Sequence, residues 1–192
     1  RPYLLVTTGG GGDGDLLIEW VLRAYESDQI LPYPALLVLG PFLQPEKQSQ
    51  FMARAAKLDR LEAIVFNPHV EKLEENAVGI VAMGGYNTFC EILSLNKRAV
   101  IVPRTVPREE QLIRASKAQE LGLVRMLEDN GQLDPAEMSQ ALRDLPRQSP
   151  PSESVVPGLL EGLINVNRLI RPWLTRPTPI HAENNVTAFR PA

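Results

Sequence analysis

The sequence predicts an α/β fold: a doubly wound parallel sheet, Rossmann-like, of about six strands with helices on both faces. Three observations predict it. Short apolar, β-rich runs recur without the polar alternation of a half-wet strand, as in residues 3–8 (YLLVTT), 35–40 (ALLVLG) and 99–103 (AVIVP). Helix-forming stretches lie between them, which is the spacing of βαβ units. Glycine clusters stand at the junctions where such strands turn into helices.

The elements follow in order. Residues 3–8 read as a buried parallel strand that ends in the turn 9–14 (GGGGDG). Asp15 is then the expected N-cap of an amphipathic helix over 16–26. Residues 35–40 form the second strand and 45–58 the helix after it. The third strand is 62–66 (EAIVF), the fourth 79–83, and a short helix over 87–95 follows, capped by Asn87 or Thr88. Residues 99–103 make the fifth strand and 109–121 its helix; 124–127 and 135–145 complete the alternation. Right-handed crossovers turn this succession into a doubly wound sheet. The stretch 147–157 carries Ser149, Pro150, Pro151 and Ser152 and reads as a loop. A last helix is expected over 158–170, and Pro172, Pro177, Pro179 and Pro191 mark a tail, disordered in part or packed on another domain.

Composition bounds the function. With 192 residues the chain holds one ordinary domain, or one domain and tails. A net charge of −3 argues against a nucleic-acid partner, which would call for a basic face. Cys90 stands alone and the histidines are His69 and His181, so neither a disulfide framework nor a metal site is expected. No apolar run reaches the length of a transmembrane helix. Arg1 and Pro2 lead directly into the first strand, the expectation being a piece of a longer protein. Asn185-Val186-Thr187 matches a glycosylation sequon that a cytoplasmic chain would leave unused.

In open parallel sheets, ligands sit outside the carboxyl ends of the strands. Three segments converge there. In residues 9–14, side-chain-free positions let backbone N–H groups approach an anion, although a flexible turn has the same composition. No lysine follows Gly14, which excludes a P-loop, and Gly40 rather than an acid closes the second strand, which disfavours a dinucleotide site. In the second segment, Gly84 and Gly85 precede a helix whose N-terminus favours a diphosphate. Glu91 lies on the side of Asn87 and Thr88, where its carboxylate could accept from two vicinal hydroxyls or reach back as a capping box. In the third, Glu110 and Gln111 stand at a helix start, where acidic residues are favourable with or without a ligand.

Residues 65–91, VFNPHVEKLEENAVGIVAMGGYNTFCE, resemble the donor-site signature of GT-B glycosyltransferases, above all the MurG-like family 28 C-terminal domain. Plant-type glucosyltransferases share the layout. Residues 107–115 (PREEQLIRA) are similar to that family's proline, Asp-Gln, Asn-Ala segment, and the resemblance spans about 3–145. It implies a nucleotide-sugar-binding domain over 1–146, a loop and helix over 147–171, and a tail over 172–192.

Carried over by position, the backbone around His69 and Val70 receives the base, uridine in most relatives. Gly84, Gly85, Asn87 and Thr88 hold the diphosphate with help from Gly10, Gly11 and Gly12, Glu91 binds the ribose hydroxyls, and Glu110 with Gln111 contacts the donor sugar. Three departures stand out: Met83 where many relatives have His, Glu110 for the commoner Asp, and Arg114 for Asn, supplying a cation toward the diphosphate. The implied reaction is hexosyl transfer from a UDP-sugar to an acceptor hydroxyl, with the donor as substrate and no further cofactor.

The general base belongs to an N-terminal, acceptor-binding domain outside this chain, which would also make any peripheral membrane contact, and no catalytic residue is assigned here. The location implied is cytoplasmic, and this chain alone is expected to bind donor weakly and turn over nothing. Two alternatives remain: a non-catalytic subunit of a split glycosyltransferase, or a nucleotide-sugar epimerase of the same fold. An NAD-binding module ranks behind both.

Overall fold

The computed structural model describes residues 1–10, 12–154 and 156–174. Six strands form one parallel sheet in the order β3-β2-β1-β4-β5-β6. They are β1 (Leu4–Thr7), β2 (Ala35–Val38), β3 (Leu61–Ile64), β4 (Gly79–Ala82), β5 (Ala99–Ile101) and β6 (Arg125–Met126). β1 is central, with Leu4 opposite Ala35 on one side and Gly79 on the other. All of β1, β4 and β5 is buried, as continuous apolar strands covered on both faces must be. The edges are less buried: β3 carries Glu62, and β6 is two residues long and begins with Arg125, features that blunt an edge against further pairing.

The helices are α1 (Asp15–Ser27), α2 (Pro45–Ala55), α3 (Val70–Asn76), α4 (Tyr86–Ser94), α5 (Glu110–Glu120), α6 (Pro135–Asp144) and α7 (Gly162–Leu174). α1 buries Leu17, Ile18, Trp20, Val21, Leu22, Ala24 and Tyr25, and packs chiefly on α6. Trp20 is fully buried, and its indole N–H donates to the Asp134 carbonyl at 2.6 Å. That contact satisfies a polar atom which would otherwise be stranded in the core. Asp134 also caps α6, its carboxylate accepting from the Ala136 N–H at 2.9 Å with Pro135 at the first helical position.

Several expectations are corrected in detail. Asp15 is the first residue of α1, and Gly14 is its N-cap; the Asp15 carboxylate pairs with Lys47. Only glycine fits at 14, since a Cβ there would lie 2.2 Å from the Thr8 Cγ2. Likewise Gly85, and neither Asn87 nor Thr88, caps α4. With the cap at Gly85, Glu91 sits in the second turn, too far along for a capping box, and that reading of Glu91 falls. The strands stop one to two residues earlier than expected, because their last apolar residues already leave the sheet for the carboxyl-edge loops. α3 was not anticipated at all.

The chain divides into two compact units, residues 1–155 and 156–192. The expected loop 147–157 follows a 3-10 turn at Leu145–Arg147 and contains another at Pro151–Glu153. It is fastened within the first unit: Ser152 N–H donates to Asn96 at 2.9 Å and Ser154 to the Gly122 carbonyl at 3.0 Å. In the second unit α7 begins at Gly162, later than the expected 158, and runs past Pro172 to Leu174. Leu163, Leu169, Trp173 and Leu174 on it are exposed. The prolines expected to mark a tail at 177, 179 and 191 lie outside the described residues. No helix among the described residues is long and apolar enough to cross a membrane.

Candidate functional site

The strand order reverses at β1: β2 and β3 lie on one side of it, β4, β5 and β6 on the other. At such a switch point the loops leaving two neighbouring strands diverge, and a crevice opens at their carboxyl ends. A cleft of about 320 Å³ opens there. Thr7, Thr8, Gly9, Gly10 and Asp13 line it from the β1–α1 loop, and Ala82 through Thr88 from the β4–α4 junction. Arg104, from the loop after β5, and Gln111, in the first turn of α5, complete it.

Local chemistry explains why the β4–α4 junction is built of glycine. Gly84 has φ +79°, and a Cβ on it would approach the Ile101 Cγ2 to 2.7 Å. The left-handed turn at Gly84 swings the chain from a buried strand into α4 within three residues. Gly85 faces open space, with no heavy atom within 4 Å of where its Cβ would stand. The first intrahelical bond runs from Phe89 N–H to the Gly85 carbonyl at 2.9 Å. The N–H groups of Tyr86, Asn87 and Thr88 therefore have no intrahelical acceptor, and they stand at the positive end of the helix dipole beside the cleft. An anion with several oxygens suits such a site.

Arg104 joins the two sides of the cleft. Its guanidinium donates to Asp13 on the β1–α1 loop and to Glu110 Oε1, the latter at 2.7 Å. Its backbone N–H donates to Gln111 Oε1 at 3.1 Å, which places the largely buried Gln111 carboxamide in the cleft wall. The Arg104 Nε is buried and has no partner. Hydrogen bonds donated to Asp13 first and Glu110 second hold the guanidinium in its charged form. The same pairing lowers the Glu110 carboxyl below its usual range.

The structure thus brings together Gly10, Gly84, Gly85, Asn87, Thr88 and Gln111 in one cleft, with Glu110 bonded to its rim. Gly12 packs beneath the loop, where a Cβ would meet the Phe42 carbonyl at 2.8 Å, and Gly11 lies outside the described residues. His69 is the N-cap of α3 and Val70 its first residue; neither lines the cleft, and the exposed His69 ring lies 3.3 Å from Glu71. Glu91 follows Asn87 by one turn of α4, outside the cleft lining. Its electrostatic neighbour is Glu74 of α3, a carboxyl 1% exposed whose Oε2 has no hydrogen-bond partner. Burial first, then the charges of Glu91 and Glu71, raises Glu74 to about 7.

Arg114, expected to supply a cation toward the diphosphate, is bound at the β4–α4 turn and is outside the cleft lining. Its guanidinium donates to the Gly84 carbonyl at 2.7 Å and lies 5.7 Å from the centre of the Tyr86 ring. The cation that lines the cleft is Arg104, which sequence reasoning passed over, as it did Asp13. The signal was there: Arg104 follows an apolar strand at the same sheet edge that singled out both glycine turns.

Residues 4–154 match the family model described as "Glycosyltransferase family 28 C-terminal domain". Among solved structures, Acinetobacter baumannii MurG superposes with a TM-score of 0.65 at 17% identity, over 88% of this chain and 50% of that one. The calicheamicin glycosyltransferase CalG4 gives 0.65 at 21% identity, over 93% and 43%. The Methanocaldococcus jannaschii UDP-GlcNAc 2-epimerase, solved with UDP-GlcNAc and UDP, gives 0.57 at 14% identity, over 88% and 46%. The chain therefore spans about half the length of the structures it matches. No curated protein matches the sequence. At these identities the likeness to solved structures is one of fold.

Proposed function

The chain belongs to the glycosyltransferase family 28 C-terminal domain family, and on that premise we propose that its cleft binds the diphosphate of a nucleotide-sugar donor, a UDP-sugar, for hexosyl transfer to an acceptor hydroxyl. One observation carries the reading: the N-terminus of α4, with Gly84, Gly85, Asn87 and Thr88, opens into the switch-point cleft opposite the glycine turn after β1. Donors fixed in place before reaction stabilise charge that develops on a leaving group, and a departing nucleoside diphosphate develops such charge. The donor enters as substrate, and no separate cofactor is called for.

Within this reading Glu91 takes the ribose hydroxyls, the backbone around His69 and Val70 the base, and Glu110 with Gln111 the sugar. Gln111 is the better placed of the last two, since its carboxamide is in the cleft wall while Glu110 is bound to Arg104. The general base that deprotonates the acceptor belongs to an N-terminal, acceptor-binding half, which would also carry any membrane contact, and the setting is cytoplasmic. The chain by itself binds donor weakly and transfers nothing.

Titration calorimetry of the chain with UDP, UDP-glucose and UDP-N-acetylglucosamine, repeated with Glu91→Ala, tests the reading. Binding of uridine nucleotides that weakens in the variant supports it; no binding of any of them removes it. Product analysis of the longer protein with UDP-N-acetylglucosamine and candidate acceptors separates transfer from epimerisation.

A further inference from the structure

We propose that Arg104 is the cation that receives the donor diphosphate in this cleft, and that Asp13 is its resting counter-ion, released when the diphosphate enters. The inference rests on reading the cleft as a nucleotide-diphosphate site and adds to it a residue outside the resembling motifs.

Four observations carry it. Arg104 and Asp13 both line the cleft, facing the same space as Gly85 and the first turn of α4. A helix N-terminus offers partial positive charge and donors, but a diphosphate carries formal charges that a guanidinium answers more strongly, in forked geometry. Arg104 is the cationic residue in the lining.

The guanidinium is held but not satisfied. Glu110 fixes Nη2 at 2.7 Å and Asp13 takes Nη1, while the buried Nε has no acceptor. A guanidinium has five N–H donors, and a buried one left without an acceptor destabilises the arrangement. The side chain as a whole is 26% exposed, so a diphosphate in the cleft can take the guanidinium donors that Asp13 holds at rest.

The two carboxylates differ in how readily they let go. Glu110 begins α5, a regular helix, and keeps the fork oriented. Asp13 stands between Gly12 and Gly14 on the β1–α1 loop, its side chain 40% exposed. Glu110 is no less open, at 43%, so both pairs are weak, and it is the glycine-flanked loop that lets Asp13 exchange its partner for solvent at little cost. Left in place, its charge would face the incoming phosphates.

The expected effects therefore have opposite signs. Removing the Arg104 charge weakens diphosphate binding, whereas removing the Asp13 charge, an acid in the site, tightens it. The 192-residue chain is titrated calorimetrically with UDP, with inorganic pyrophosphate and with uridine, as wild type, Arg104→Gln, Arg104→Lys and Asp13→Asn. Arg104→Gln is expected to weaken UDP and pyrophosphate by about tenfold or more, the scale of a lost charge-assisted hydrogen bond. Uridine affinity stays as it was, and Arg104→Lys recovers part of the loss. Asp13→Asn is expected to tighten UDP by about threefold. Thermal melting identifies a variant that fails to fold; should Arg104→Gln do so, Arg104→Lys and Asp13→Asn carry the test.

Wild type that binds UDP while Arg104→Gln binds it equally well overturns the assignment and leaves the donor-site reading standing. Weaker UDP binding by Asp13→Asn overturns the counter-ion role. Wild type that binds neither UDP nor pyrophosphate overturns both the inference and the reading beneath it.

Discussion

The Arg114 guanidinium donates to the Gly84 carbonyl at 2.7 Å, tying α5 to the turn from which α4 springs. The same side chain lies over the Tyr86 ring at 5.7 Å. Arg114 therefore braces the backbone that presents N–H groups to the cleft, rather than standing in the cleft itself. Replacing it with Ala is expected to lower the stability of the ligand-free chain by about 1–2 kcal/mol, from one charge-assisted hydrogen bond and a cation–π contact. Chemical denaturation without nucleotide measures this. A residue that acted only by touching phosphate would leave that midpoint unchanged.

Gly84 and Gly85 are adjacent and are expected to respond oppositely. Gly84→Ala places a Cβ 2.7 Å from Ile101 at a left-handed φ of +79°, so stability should fall by about 2 kcal/mol or more. Gly85→Ala meets open space at φ −53° and should melt close to wild type. Its new methyl group projects beside the helix N-terminus in the cleft, so nucleotide affinity should drop. Melting curves and UDP titrations of the two variants check both halves; unaltered UDP affinity in Gly85→Ala would count against the cleft as the site.

The Glu74 carboxyl gives the fold a pH dependence of definite sign. The unfolded chain releases this proton near the usual glutamate value of about 4.3, whereas the folded chain holds it to about 7. Between those two values the folded state binds more protons, so this group's contribution to stability falls as pH rises through that window. Glu74→Gln keeps the uncharged shape. It should melt about 3 °C or more above wild type at pH 8 and close to it at pH 4.5. Equal melting temperatures at pH 8 would show that Glu74 ionises without cost.

Much of the sheet was legible because buried parallel strands are continuous apolar runs, and LLVT, GIVA and AVI announce themselves. α3 was not, because VEKLEEN has only Val70 and Leu73 as apolar residues and buries Glu74 rather than an apolar stripe, so helical periodicity has little to register. The caps misled for a related reason. Polar residues follow Gly14 and Gly85 within three positions, but the chain enters each helix at the glycine itself, at Gly14 with the Thr8 side chain packed where a Cβ would stand. The site's motif residues were legible from spacing. The position of Arg104 after an apolar strand was legible too, but its pairing with Asp13 was not, since the two meet across 91 positions of sequence and only the folded switch point brings them together.

The central claim is that a nucleotide diphosphate occupies the cleft between the β1–α1 loop and the N-terminus of α4. Backbone amide NMR of the chain under titration with a UDP-sugar tests it most directly. The account expects the largest shifts at Gly9, Gly10 and Asp13, at Gly84 through Thr88, and at Arg104 and Gln111, the residues that line the cleft. Residues around the separate depression formed by Tyr25, Asp28, Lys57 and Arg60 should stay still. Shifts confined to that second depression, or none at saturating nucleotide, would contradict the account.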